Sequence, residues 1–209
     1  MENNRFPAEI CGIKTSKMPH VKIAETQYPV IDLIRNRWSP RSFTTQAIQP
    51  ADLTTILEAG SWAPSANNSQ PWRFIYALRG TTGFDKLLST LAPGNQPWAK
   101  NAAALVATIG VKELPDTQQK NHYYLYDTGL ATSFMLTQAL SMQIYGHVMA
   151  GFNKQQLAEL AALPANEEPV TIIALGYPDR ADLLEEPYKT RELTARTRKP
   201  LSEVTAELN

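Results

Sequence analysis

The sequence predicts an α/β or α+β sandwich, and three observations lead there. Runs at 72–77, 102–110 and 169–176 have the alternating or continuously apolar character of strands. The segments between them carry apolar residues at helical spacing. No internal repeat, low-complexity tract or linker divides the 209 residues, so one domain is expected. With 43% hydrophobic and 19% charged residues, the chain can bury a sizeable core.

Residues 1–27 show no sustained period and hold Pro7, Gly12 and Pro19, an irregular lead-in to a domain over 28–209. Val30, Ile31, Leu33 and Ile34 give a short helix its apolar face, ending near Arg35. Pro50-Ala51-Asp52 opens a second helix, with Pro and an acid in the first turn as the dipole favours. Leu53, Ile56 and Leu57 form its face, and Gly60 is expected to stop it. A polar loop over 64–70 follows. Trp72, Phe74 and Tyr76 then share one strand face, and Ile75 and Ala77 the other.

Phe84, Leu87, Leu88 and Leu91 mark a short helix that Pro93-Gly94 breaks. Residues 102–110 are apolar almost throughout, as in a strand covered on both faces, and 111–120 read as a loop. The longest helix is expected over 121–143, spanning roughly 30–35 Å at ~1.5 Å per residue. Tyr123, Leu130, Ala131, Phe134, Met135 and Leu136 leave little of it polar, so burial on several sides is expected. Gly129 and Ala131 would admit another helix closely. Residues 154–163 form one more helix, and 169–176 a buried, β-branched strand. The tail from Tyr177 holds Pro178 and Pro187 and is basic at Arg191, Arg196, Arg198 and Lys199.

Composition excludes several functions. Twenty basic and twenty acidic side chains cancel without a long basic block, which disfavours nonspecific nucleic-acid binding. The single Cys11 cannot form an intrachain disulfide and points to a reducing compartment. No run approaches the ~18 apolar residues of a spanning helix, and the N-terminus lacks a signal-peptide core. A cytoplasmic protein without a membrane partner is expected. His20, His122 and His147 stand far apart, with no His-Glu-x-x-His and no Cys pair, so no metal site is expected. A Gly-x-Ser-x-Gly elbow is also absent.

Two segments concentrate chemistry. Asn36-Arg37-Trp38-Ser39-Pro40-Arg41-Ser42-Phe43 sets two guanidinium groups four residues apart in a stretch that Pro40 bars from ordinary helix. Pro64-Ser65-Ala66-Asn67-Asn68-Ser69-Gln70-Pro71-Trp72 offers hydroxyls and amides that suit a ring system. There is no P-loop and no Gly-x-Gly-x-x-Gly turn, so any nucleotide phosphate must be held by side chains. Arg37, Arg196 and Arg198 are the candidates; read alone, the last two fit a solvated basic tail better than a phosphate site. Asn95 alone is a turn asparagine, Gln70 fits structure or site, and His147 fits a proton donor or a packed histidine.

The pair of segments resembles the N-terminal signature of the flavin-dependent nitroreductase family, Arg-x-Ser-x-Arg/Lys-x-Phe followed by Pro-Ser-x-x-Asn-x-Gln-Pro-Trp. The resemblance covers roughly residues 28–209. It implies a mostly antiparallel sheet flanked by helices, in an intertwined homodimer with FMN at the interface. It implies that Arg37, Arg196 and Arg198 reach the flavin phosphate, that Ser39 lies beside the ribityl chain or phosphate, and that Arg41 faces the pyrimidine edge. Trp38 departs from the small or polar residue of the pattern, although its backbone can still serve. Pro64, Ser65, Ala66, Asn68 and Gln70 match the loop that covers the partner's flavin, with Ala66 where a hydroxyl is common. Asn95 matches an amide beside the ribityl and pyrimidine edge. Met149, Ala150 and Gly151 match the segment against the reactive face, where many relatives carry Glu at the Ala150 position. The implied activity is hydride transfer from NAD(P)H to FMN and on to a nitroaromatic, quinone or similar acceptor, by a ping-pong mechanism with no essential side-chain acid or base. The same fold also serves dehalogenation, heterocycle dehydrogenation and flavin fragmentation, and a non-enzymatic flavin-binding redox sensor is a further alternative.

Overall fold

The computed structural model describes residues 20–114, 117 and 119–208; most of the expected lead-in, including Cys11, lies outside them. Four strands make one sheet: β1 (Trp72–Leu78), β2 (Ala104–Val111), β3 (Tyr145–Met149) and β4 (Glu167–Gly176). Their order is β1-β2-β4-β3, with every neighbouring pair antiparallel. Seven α-helices accompany them among the described residues: α1 (Asp32–Asn36), α2 (Pro50–Ser61), α3 (Thr82–Thr90), α4 (Gln96–Ala99), α5 (Tyr124–Ser141), α6 (Lys154–Leu160) and α7 (Tyr188–Leu193). The expected antiparallel sheet flanked by helices is what forms.

Each face of the sheet has its own core. Leu53 and Ile56 of α2 with Met135 and Ala139 of α5 pack on Ala104, Val106, Ile173 and Leu175. Phe84 and Leu87 of α3, Trp98 of α4 and Leu157 of α6 pack on Leu105, Ala107, Ile109, Ile172 and Ala174. The central strands β2 and β4 are therefore covered on both sides, as their unbroken apolar runs require. Pro169 has no N–H for the ladder, and the β2–β4 register slips beside it, between Thr108 and Ile109. There the buried Thr108 hydroxyl accepts from the Thr171 N–H at 3.2 Å.

Local chemistry fixes several boundaries. The Thr81 hydroxyl accepts from Phe84 N–H at 3.3 Å to start α3, and Asn153 Oδ1 accepts from Gln156 N–H at 3.0 Å to start α6. Gly60 does not stop α2. It lies inside the last turn, where a Cβ would stand 2.6 Å from Met135 Cγ, so its role is to let α5 approach. Gly129, expected to admit a neighbouring helix, faces open space. The apolar face of α1 is not buried either, since Ile31 and Ile34 are exposed. Three short elements have no counterpart in the sequence reading: α4, α7 and the edge strand β3. Among the described residues no helix is long and apolar enough to cross a membrane.

Candidate functional site

The turn after α1 is held from behind by residues far away in sequence. The Trp38 indole leaves it for the core, packing edge-on to Tyr145 with ring centroids 6.4 Å apart, so only its backbone stays with the turn. Ser42 Oγ donates to Arg180 carbonyl at 2.7 Å. Glu192 of α7 is buried, and its Oε1 accepts from the N–H groups of Arg41 and Ser42 at 2.9 and 3.3 Å. The Arg41 guanidinium lies over the Trp98 ring at 5.9 Å, a cation–π distance.

His147 enters the same packing from β3. Its ring centroid is 4.5 Å from that of Trp98, and Nδ1 lies 2.9 Å from the Pro40 carbonyl, which can only accept. Nδ1 therefore carries the ring proton. Burial lowers the pKa to about 4, with Arg41 and Arg37 adding to the effect and backbone hydrogen bonds opposing it. At neutral pH the imidazole is uncharged, with its one proton engaged by the backbone. That is the arrangement of a packed histidine.

Beside the turn, guanidinium groups gather. Arg37 Nη1 donates to Ser39 Oγ at 3.4 Å. Arg196 Nη1 donates to the carbonyls of Arg35 and Lys22 at 2.7 and 3.1 Å. Burial first, then the charge of Arg198, lowers the pKa of Arg37; burial, then Arg37 and Arg198, lowers that of Arg196. Both remain charged, because guanidinium starts so high. Among the described residues, none of the three forms an ion pair with a carboxylate. Together with Lys199, Tyr28 and Ile34 they line a cavity of about 630 Å³. Glu25 also lines this cavity but stands beyond ion-pair distance of all three. Cations that repel one another with no carboxylate bonded to them make a donor set for a multiply charged oxyanion.

A third group joins residues 56 positions apart. Asn95 Nδ2 donates to the Gly151 carbonyl at 3.1 Å, and Ala92 N–H donates to the same oxygen at 2.9 Å. A Cβ on Gly151 would stand 3.1 Å from Asn95 Nδ2, tighter than ordinary contact, so a larger residue would push the amide back by a few tenths of an ångström. Ala150 and Gly151 are exposed, whereas the Met149 side chain is in the core, leaving only its backbone for a ligand.

The 64–70 loop is elsewhere. It hangs from the N-terminal end of α5: buried Asp127 accepts from Ala66 N–H at 3.1 Å, and Thr128 Oγ1 donates to Pro71 carbonyl at 3.3 Å. Asn67, Asn68 and Gln70 have φ of 52°, 55° and 46°. Asparagine tolerates that left-handed region. Gln70 is pinned there by its N–H donating to Ser65 Oγ at 3.0 Å and its Nε2 donating to Asn68 carbonyl at 3.1 Å.

The sequence profile of the nitroreductase family matches residues 34–88 and 79–177, most of the chain. The chain belongs to the nitroreductase family of oxidoreductases. Similar to it is a crystal structure described as an oxidoreductase containing FMN: TM-score 0.84, 32% identity, covering 88% of this chain and 93% of that one. A Streptococcus pyogenes protein provisionally named NAD(P)H nitroreductase Spy0809 is 24% identical over 179 residues, 71% of this chain and 90% of the relative. An iodotyrosine deiodinase of Haliscomenobacter hydrossis is 24% identical over 169 residues, 68% of this chain and 76% of the relative.

For this nitroreductase-family chain, the structure thus sorts the expected site residues into two sets. Arg37, Ser39, Arg41, Arg196 and Arg198 gather around the turn, and Asn95 with Gly151 forms a contact on the same side of the sheet as Trp98. Pro64, Ser65, Ala66, Asn68 and Gln70 sit at the N-terminal end of α5, whereas Trp38 of the turn packs on Leu140 near its C-terminal end. Glu192, Lys22 and Trp98, which the sequence reading gave no role, brace the turn. No local signal marks Glu192 or Lys22, since their partners are about 150 or more residues away; the stacking of Arg41 on Trp98 is likewise invisible from spacing.

Proposed function

We propose that the chain is an FMN-dependent oxidoreductase that takes hydride from NAD(P)H and passes electrons to a nitroaromatic, quinone or similar small acceptor by a ping-pong mechanism. It acts as a cytoplasmic homodimer. The observation that carries this reading is the convergence of Arg37, Arg196 and Arg198 without a carboxylate partner among the described residues. This donor set fits the FMN phosphate, and Ser39 adds a hydroxyl beside it. When bound, FMN supplies the redox chemistry, accepting hydride and passing electrons on.

The chain's own residues bind and bias. Arg41, fixed over Trp98, offers a cation to the pyrimidine edge, which favours the reduced state because that state carries negative charge there. The exposed backbone at Ala150 and Gly151 and the Asn95 amide offer polar groups to the ring. His147 has no free proton to give at neutral pH, in keeping with a reaction that needs no side-chain acid.

The test is a visible spectrum of the purified protein, followed by NADH or NADPH under nitrogen. A flavin spectrum that bleaches with either donor is expected. Absence of flavin even after incubation with FMN would overturn the reading. Arg37→Ala and Arg198→Ala should each weaken FMN binding roughly ten- to hundredfold, since each removes a charge-assisted contact of about 1.5–3 kcal/mol. Full affinity in both variants would remove the phosphate assignment. The likeness to an iodotyrosine deiodinase favours a second reading, reductive dehalogenation on the same cofactor. Turnover of halogenated phenols against nitroaromatics and quinones decides between them.

A further inference from the structure

We propose that Glu192 is a positioning residue for the redox site: its buried carboxylate braces the Arg41 turn and offsets part of the positive field that Arg41 and Lys22 create there. The inference rests on the FMN reading above.

Glu192 is only 1% exposed, and one oxygen accepts from two successive N–H groups of the turn. Those contacts bridge 151 and 150 residues, so α7 is tied directly to the segment that carries Arg41. The brace alone does not need a charge, because an amide oxygen can accept the same two N–H groups. The second oxygen, Oε2, is buried without a hydrogen bond, a costly state for an isolated carboxylate.

What accompanies that charge is a pair of cations. Lys22 is itself 6% exposed and donates to the carbonyls of Arg191 and Thr194 at 2.9 and 2.6 Å, on either side of Glu192. Arg41 and Lys22 both favour the ionised carboxylate, against burial, which is the largest influence and raises its pKa. In return Glu192 is the leading electrostatic influence that keeps Lys22 and Arg41 charged against burial. Neither cation forms an ion pair within 4 Å of it among the described residues, so the charges act through space; Glu192 and Lys22 are buried and Arg41 is half-buried, where fields are screened less than in open water.

The consequence is a graded field at Arg41. With Glu192 ionised behind it, Arg41 favours the reduced cofactor less than it would alone. Glu192→Gln keeps an oxygen for the two N–H groups and removes the charge. Expected is a protein that still binds FMN but prefers its reduced over its oxidised form about tenfold more strongly, a rise of about 30 mV for a two-electron couple, read by dye-equilibrated reductive titration. A purely structural brace would leave the potential in place. An unchanged or lowered potential in FMN-loaded Glu192→Gln overturns the proposal. Where that variant fails to fold or to hold FMN, Lys22→Gln decides, since removing a cation from the same cluster should lower the potential; no fall overturns the proposal. Failure of the unsubstituted protein to bind FMN is a different result, and overturns the functional reading with it.

Discussion

His147 and Glu192 both sit behind the Arg41 turn, one from an edge strand and one from a short helix, and in both burial is the leading influence on the titration. For His147 the pH consequence has a definite sign. The folded-state pKa is depressed to about 4 from an ordinary 6.5, so between those values the unfolded chain binds more protons than the folded one. The stability tied to its neutral form is fully present above pH 6.5 and lost as pH falls through about 4. At ~1.4 kcal/mol per pKa unit the full loss is on the order of 3.5 kcal/mol. Urea midpoints at pH 7 and pH 4.5 measure it: the fall should be smaller in His147→Gln, which keeps a donor toward Pro40 but does not titrate. Equal falls in the two proteins would mean that protonation is accommodated without loss of the Trp98 and Pro40 contacts.

At the scale of elements, what was legible in the sequence is what local pattern determines. Strands β1, β2 and β4 and helices α2, α3, α5 and α6 announce themselves through apolar period and through proline and glycine at their ends. Strand β3 does not, because five residues that include Gly146 and His147 show no clean alternation. Helix α7 is set by what lies across the fold, Lys22 on its last carbonyls and Glu192 on the turn. The site divides the same way. The arginines and the amide loop are visible as residue types at short spacing; the groups that hold them are not. Asp127 is an intermediate case, an acid in an apolar helix whose partner only the structure supplies, the N–H of Ala66. Asp127→Ala should leave that donor without its acceptor at a cost of about 1–2 kcal/mol, lowering Tm by a few degrees. It should also speed FMN release, because the 64–70 loop loses its anchor while the arginines are intact. Asp127→Asn, which keeps an acceptor oxygen, should behave nearly as the parent does. A loss in both variants would place the role of Asp127 in its charge rather than in this bond.

At the scale of the whole molecule, one helix face stays open. Helix α5 has the all-round apolar character that calls for burial on several sides, yet Tyr126 is 67% and Phe134 43% exposed, and Gly129 between them faces open space. The 64–70 loop is fixed at the N-terminal end of this helix, whereas Trp38 of the Arg41 turn packs on Leu140 near its C-terminal end, roughly 20 Å along the axis from Asp127 at ~1.5 Å per residue. One copy therefore cannot easily close its own loop over its own arginines. A second copy packed along the open face of α5 would cover the aromatic side chains and bring a loop to each turn, so assembly and cofactor binding would be one event. A buried aromatic side chain contributes ~150–250 Å² of apolar surface, several kcal/mol each at the usual coefficient. Carboxylates at both positions, Tyr126→Glu with Phe134→Glu, should then convert a dimer of the 23.3 kDa chain into a monomer by light scattering. The same variant should lose FMN although Arg37, Arg196 and Arg198 are untouched, and raising the protein concentration should restore both together. A monomer that binds FMN as tightly as the parent would show that one chain completes the site, and the exposed face of α5 would then serve some partner other than a second copy.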